Sequence, residues 1–132
     1  MQYLIAYVAV GLVFFVADFI WLGTVAKDFY REQLAGHIAE NFHIGAAVGF
    51  YLMYIAGIVF FAVRPALASG QWSAALVHGA LFGFFCYATY NMTNWATLRD
   101  WPVKMSLVDM PWGTFMTAIA ALGGYAAARW LG

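Results

Sequence analysis

Residues 87–101, YATYNMTNWATLRDW, close a long apolar segment, yet Tyr87, Thr89, Tyr90, Asn91, Thr93, Asn94 and Thr97 fall within eleven positions. Polar groups at that density are costly in hydrocarbon unless they meet partners. Wound as a helix, the stretch aligns Tyr87, Asn91, Asn94 and Leu98 along one stripe, with Tyr90, Thr93 and Thr97 on its flank. Such a stripe is expected to face protein, a ligand or water and not lipid. The rest of the chain has to supply its partners.

The composition fixes the class. Of 132 residues, 65% are hydrophobic, 20% aromatic and 9% charged, whereas a soluble domain carries about a quarter charged residues. A core of this size could not bury so much apolar surface, so an integral membrane protein is the class that fits. Six Lys and Arg balance six Asp and Glu, which leaves no basic surface for nucleic acid, and no nucleic-acid partner is expected. One cysteine, Cys86, offers neither a disulfide framework nor a thiolate metal cage. Residues 1–26 lack the positive start of a signal peptide and place Asp18 and Trp21 where a cleavage region would fall, so a retained spanning helix is expected.

The spans follow from length and punctuation. Segment one covers residues 2–25, enough to cross a hydrocarbon layer of about 30 Å, and puts Tyr7, Gly11, Phe14, Asp18 and Trp21 on one face. Residues 27–43, KDFYREQLAGHIAENFH, read as a short amphipathic helix on the membrane surface. His37 and His43 lack metal-site spacing there, and no metal is expected. Segment two covers 44–63 and stops at Arg64-Pro65. A loop with a Ser69-Gly70 turn follows, and Ser73 is a natural N-cap for segment three, 73–98. Residues 99–105 form a polar loop before segment four, 109–130, where Asp109 ahead of Pro111 reads either as an N-cap or as a site residue. Gly45 and Gly49, and Gly79 and Gly83, are small-xxx-small pairs suited to close helix approach. The expected fold is an all-α bundle of four transmembrane helices in a single domain, 1–132, with an interfacial helix between the first two.

Short antiparallel connections bring particular groups to one membrane face. Asp18 near the end of segment one, Asn91 and Asn94 near the end of segment three, and Asp109 at the start of segment four share a depth. Trp21, Trp95, Trp101 and Trp112 lie in the same zone. An aromatic interfacial belt accounts for some of these tryptophans, and an interfacial, snorkelling Asp18 is the plain alternative at that position. Neither accounts for two carboxylates and two carboxamides at one level. A polar pocket of Asp18, Trp21, Tyr87, Tyr90, Asn91, Asn94, Asp109 and Trp112 is therefore expected. Lys27, Arg31, Arg99 and Lys104 on the pocket side, against Arg64 and Arg129 opposite, place that side in the cytoplasm and both termini outside.

The motifs D-x-x-W-L-G at Asp18–Gly23, YATYNMTNWATLRDWP at Tyr87–Pro102 and D-x-x-W-G-T at Asp109–Thr114 resemble those of a bacterial membrane family, domain of unknown function 2177. K-x-F-Y at Lys27–Tyr30 and F-Y-L-x-Y at Phe50–Tyr54 agree with it. The resemblance implies a four-helix protein of the bacterial inner membrane and brings no activity with it. Members commonly carry an acid where this chain has Asn91.

Three functions are open on these residues. The first is binding or transport of a small lipophilic or amphipathic molecule, with a membrane carboxylate exchanging a proton or cation. The second is a lipid- or isoprenoid-modifying enzyme using Asp18 and Asp109 as acid and base. The third is an accessory subunit whose polar stripe joins helices, and a homo-oligomer also fits. No cofactor is expected: His43 and His78 fall at opposite faces, which disfavours haem.

Overall fold

A computed structural model of the chain describes residues 1–25, 27–34 and 43–132. Helix α1 spans Gln2–Ile20 and continues as a π-helical turn through Trp21–Val25. Helix α2 is Lys27–Gln33, α3 is Ile44–Ser69, α4 is Trp72–Thr97 and α5 is Val103–Leu131. Apart from α2, each is long and apolar enough to cross a membrane. Large apolar side chains such as Leu12, Phe15, Phe19, Met53, Phe85 and Phe115 point outward, as lipid-facing residues do.

Helix α5 is the hub. It packs along α1 on one side and α4 on the other, while α3 closes the bundle against all of them. Within their most apolar windows, 44% of α5 is buried against 17% of α1 and of α4, so α5 contributes most of the inner surface. Many of its inward residues are small: Gly113, Ala118, Ala120, Ala121, Gly124 and Ala128 are buried, beside the larger Met105, Met116 and Tyr125. In hydrocarbon, where apolar burial no longer drives association, close backbone approach supplies the van der Waals contact that does. A Cβ at Gly79 would lie 2.8 Å from the Cβ of Ala121, and one at Gly83 would lie 2.6 Å from the Cβ of Thr117. The Gly79–Gly83 pair is thus the α4–α5 seam. Gly45 and Gly49 face no neighbouring helix among the described residues and form no such seam there.

Several boundaries differ from those the sequence suggests. Pro65 does not end the second span, which runs on to Ser69. The π-helical turn Val59–Val63 precedes it, and Pro65 opens the following helical turn. A widened turn absorbs both the missing N–H and the ring's clash with the preceding backbone. The stop is Gly70, in the left-handed conformation at φ 70°. Ser73 caps nothing, because α4 already begins at Trp72 with Gln71 before it. Helix α5 begins at Val103, so Asp109 lies inside it and is no N-cap, and Pro111 is an interior proline. The proposed surface helix 27–43 is described only as α2; residues 35–42, with His37, lie outside the described residues.

Candidate functional site

The polar face of α5 is set by its early start. Asp109 stands six residues past Val103, about 9 Å along the axis at 1.5 Å per residue. Ser106 lies one turn before it and Trp112 one turn after, on the same face. Helix α4 delivers Asn91, which is completely buried, and α2 delivers Tyr30. The loop 98–102 reverses at Asp100 with φ 56°, a conformation that Asp tolerates better than most residues. That reversal tucks Trp101 back beneath α5, where it is buried.

Two hydrogen-bond chains converge on Asp109. In the first, the indole N–H of Trp101 donates to Ser106 Oγ at 2.9 Å, Ser106 donates to Asn91 Oδ1 at 2.8 Å, and Asn91 Nδ2 donates to Asp109 Oδ2 at 2.9 Å. In the second, the indole N–H of Trp21 donates to the Tyr30 hydroxyl at 3.1 Å, and Tyr30 donates to Asp109 Oδ1 at 2.8 Å. An indole nitrogen can only donate. Its proton therefore fixes the direction of every later bond, including which way the Asn91 carboxamide faces. Asp109 ends both chains, accepting on each oxygen, which is the arrangement an ionised carboxylate calls for.

Tyr30, outside the spans, has its hydroxyl pushed well above the ordinary phenol range. Burial is the largest cause, followed by the nearby charge of Asp109, with Asp18 a smaller contributor. The phenol is thus held as a donor. The Trp21 and Trp112 rings stack at 4.3 Å and 8°, closing the helix side of this cluster. The indole nitrogen of Trp112 is buried without a hydrogen-bond partner among the described residues.

Asp18 sits apart. Its carboxylate accepts a short hydrogen bond from Tyr51 on α3, and with Tyr51, Phe15, Phe19, Leu22 and Gly23 it lines a cavity of about 340 Å³. Asp109 lines a different one, of about 460 Å³, together with Phe50, Tyr54, Cys86, Tyr87, Thr89 and Tyr90. The Tyr54 hydroxyl is paired with Thr117 at 2.8 Å, and the Tyr87 ring lies over Gly113, where any Cβ would overlap it. The Tyr87 and Tyr90 hydroxyls have no hydrogen-bond partner among the described residues.

Of the eight residues singled out from sequence, Trp21, Asn91, Asp109 and Trp112 meet in one cluster, and Tyr87 and Tyr90 flank the cavity beside it. Asp18 belongs to the second cavity. Asn94 is half-buried and makes no side-chain hydrogen bond among the described residues. Two threonines of this stretch also behave differently from a stripe that must avoid lipid. Thr89 and Thr97 donate to the carbonyls of Phe85 and Thr93 four residues back, at 2.6 and 2.7 Å, which satisfies them while they stay exposed. Trp101 is a buried network member and not an interfacial anchor, unlike exposed Trp95 and Trp130.

Tyr30, Tyr51, Tyr54 and Ser106 were not legible as site residues from their own neighbourhoods. The signal was there for the two α3 tyrosines. Tyr51 lies about two turns past the start of α3 at Ile44, close to the depth of Asp18 and Asp109, and Tyr54 lies about one turn deeper, where it meets Thr117. Ser106 was hidden by placing the start of the last helix too late.

No curated protein and no solved structure matches the chain. The profile of one family, predicted membrane protein DUF2177, matches residues 3–126, which includes every residue of the cluster, and the chain accordingly belongs to the DUF2177 family of predicted membrane proteins.

Proposed function

We propose that this membrane protein binds a small amphipathic molecule in the cavity beside Asp109. The supporting observation is the cavity itself. Its volume of about 460 Å³ falls in the range of ligand sites, roughly 300–1,000 Å³. Its walls are the rings of Phe50, Tyr54, Tyr87 and Tyr90, and its polar end is a carboxylate held rigid by two hydrogen-bond chains. Rigid polar anchors in an apolar recess are what orient a ligand. Catalysis by an aspartate pair is supported less well, since Asp18 and Asp109 line separate cavities and would not share a reacting group.

The test is mass spectrometry of small molecules extracted from the purified protein and from a Cys86→Trp variant that fills the cavity. An amphipathic species enriched in the wild type and depleted in the variant supports binding. Identical extracts from two equally folded proteins would refute it.

The same reading places the cavity in the cytoplasmic leaflet of a bacterial inner membrane. Lys27, Arg31, Arg99 and Lys104 flank its side, and Arg64 and Arg129 the other. Reporter fusions at the C-terminus are then active only for an external terminus. Cytoplasmic reporter activity would reverse the orientation.

A further inference from the structure

Resting on that binding reading, we infer that the molecule held beside Asp109 is an organic monocation, with an alkylammonium-type head on the carboxylate and an apolar body along Phe50 and Tyr54. The direction of the hydrogen bonds carries this. Both chains reaching Asp109 begin at an indole N–H and pass only through neutral groups, Ser106 and Asn91 on one side and Tyr30 on the other. They orient the carboxylate and bring it no positive charge. Arg31, Arg99 and Lys104 are exposed, as snorkelling cations at an interface are.

The cavity's remaining polar groups can accommodate such a head. The Tyr54 hydroxyl is engaged by Thr117, and the Thr89 hydroxyl by the carbonyl of Phe85. That leaves the phenols of Tyr87 and Tyr90 to meet a ligand, each able to accept an N–H. An anionic head would be repelled by Asp109. A neutral hydroxyl would satisfy the geometry and leave the charge without a cationic partner among the described residues. A cation gains from the carboxylate and from the electron-rich ring faces together, in a setting poor in water.

Cys86 is the chain's one cysteine and lines this cavity, so its alkylation reports occupancy. The protein is placed in nanodiscs of zwitterionic lipid, and the rate of Cys86 modification by N-ethylmaleimide is measured with octylamine, octanol or octanoate present. Octylamine is expected to protect at concentrations about tenfold below octanol, and octanoate to protect least. In Asp109→Asn the preference for the amine over the alcohol should vanish. Equal protection by octanol and octylamine, or a preference that survives Asp109→Asn, would overturn the cationic ligand and leave binding intact. Failure of all three to protect would overturn the cavity's binding role as well.

Discussion

Asn91 shows how much one buried amide can determine. It accepts from Ser106 and donates to Asp109 from a position with no solvent exposure. Replacing it with a side chain of similar size that can do neither leaves a hydroxyl and a carboxylate oxygen without their partner. Asn91→Leu is therefore expected to destabilise the protein by about 2–4 kcal/mol, more than an average membrane hydrogen bond, because a charged acceptor is involved. Unfolding followed by circular dichroism in mild detergent measures this, and an unchanged midpoint would mean that the chain from Trp101 does not support Asp109. Tyr30 offers a second test. Its raised phenol keeps its proton in the folded protein after an exposed phenol would have lost it, so its contribution is complete below the ordinary value of 10.0 and declines as pH rises above it. The stability difference between wild type and Tyr30→Phe should be constant up to that pH and narrow beyond it.

Among the helices, the α4–α5 seam and the docking of α2 make opposite demands. The seam has no slack. A side chain at Gly83 meets the backbone carbonyl of Gly113 at 2.5 Å as well as Thr117, and neither can swing away. Gly83→Val should destabilise by at least about 1–3 kcal/mol and move Tyr87 off Gly113, so its thermal midpoint falls and Cys86 becomes more reactive together. Helix α2 is seven residues long, too short to hold itself, and Tyr30 ties it to Trp21 and Asp109. Hydrogen exchange at residues 30–34 should quicken in Tyr30→Phe while α4 and α5 keep their protection. Much of this level was readable beforehand: four apolar runs, their order and their facing ends follow from hydropathy and short connections. The helix ends were not, since a proline signals a stop only when the preceding backbone cannot widen around it.

At the scale of the whole molecule, an apolar exterior surrounds a small polar cluster near one end of the bundle. With residues such as Leu12, Phe19, Met53 and Phe85 outward, the chain should remain in the membrane pellet after an alkaline carbonate wash; recovery in the supernatant would contradict the spanning architecture. By itself the sequence determined the membrane class, the four spans and the depth shared by Asp18, Asn91 and Asp109, because hydropathy and chain length constrain position along the bilayer normal. It could not determine position within the membrane plane, because depth carries no information about azimuth. Tertiary packing decided that Asp18 faces Tyr51 while Asp109 faces Asn91 and Tyr30, and that two carboxylates at one level line two cavities. The cause lies in α5: its small inner residues draw α1 and α4 onto different sides of the same helix, and the groups those helices carry are separated with them.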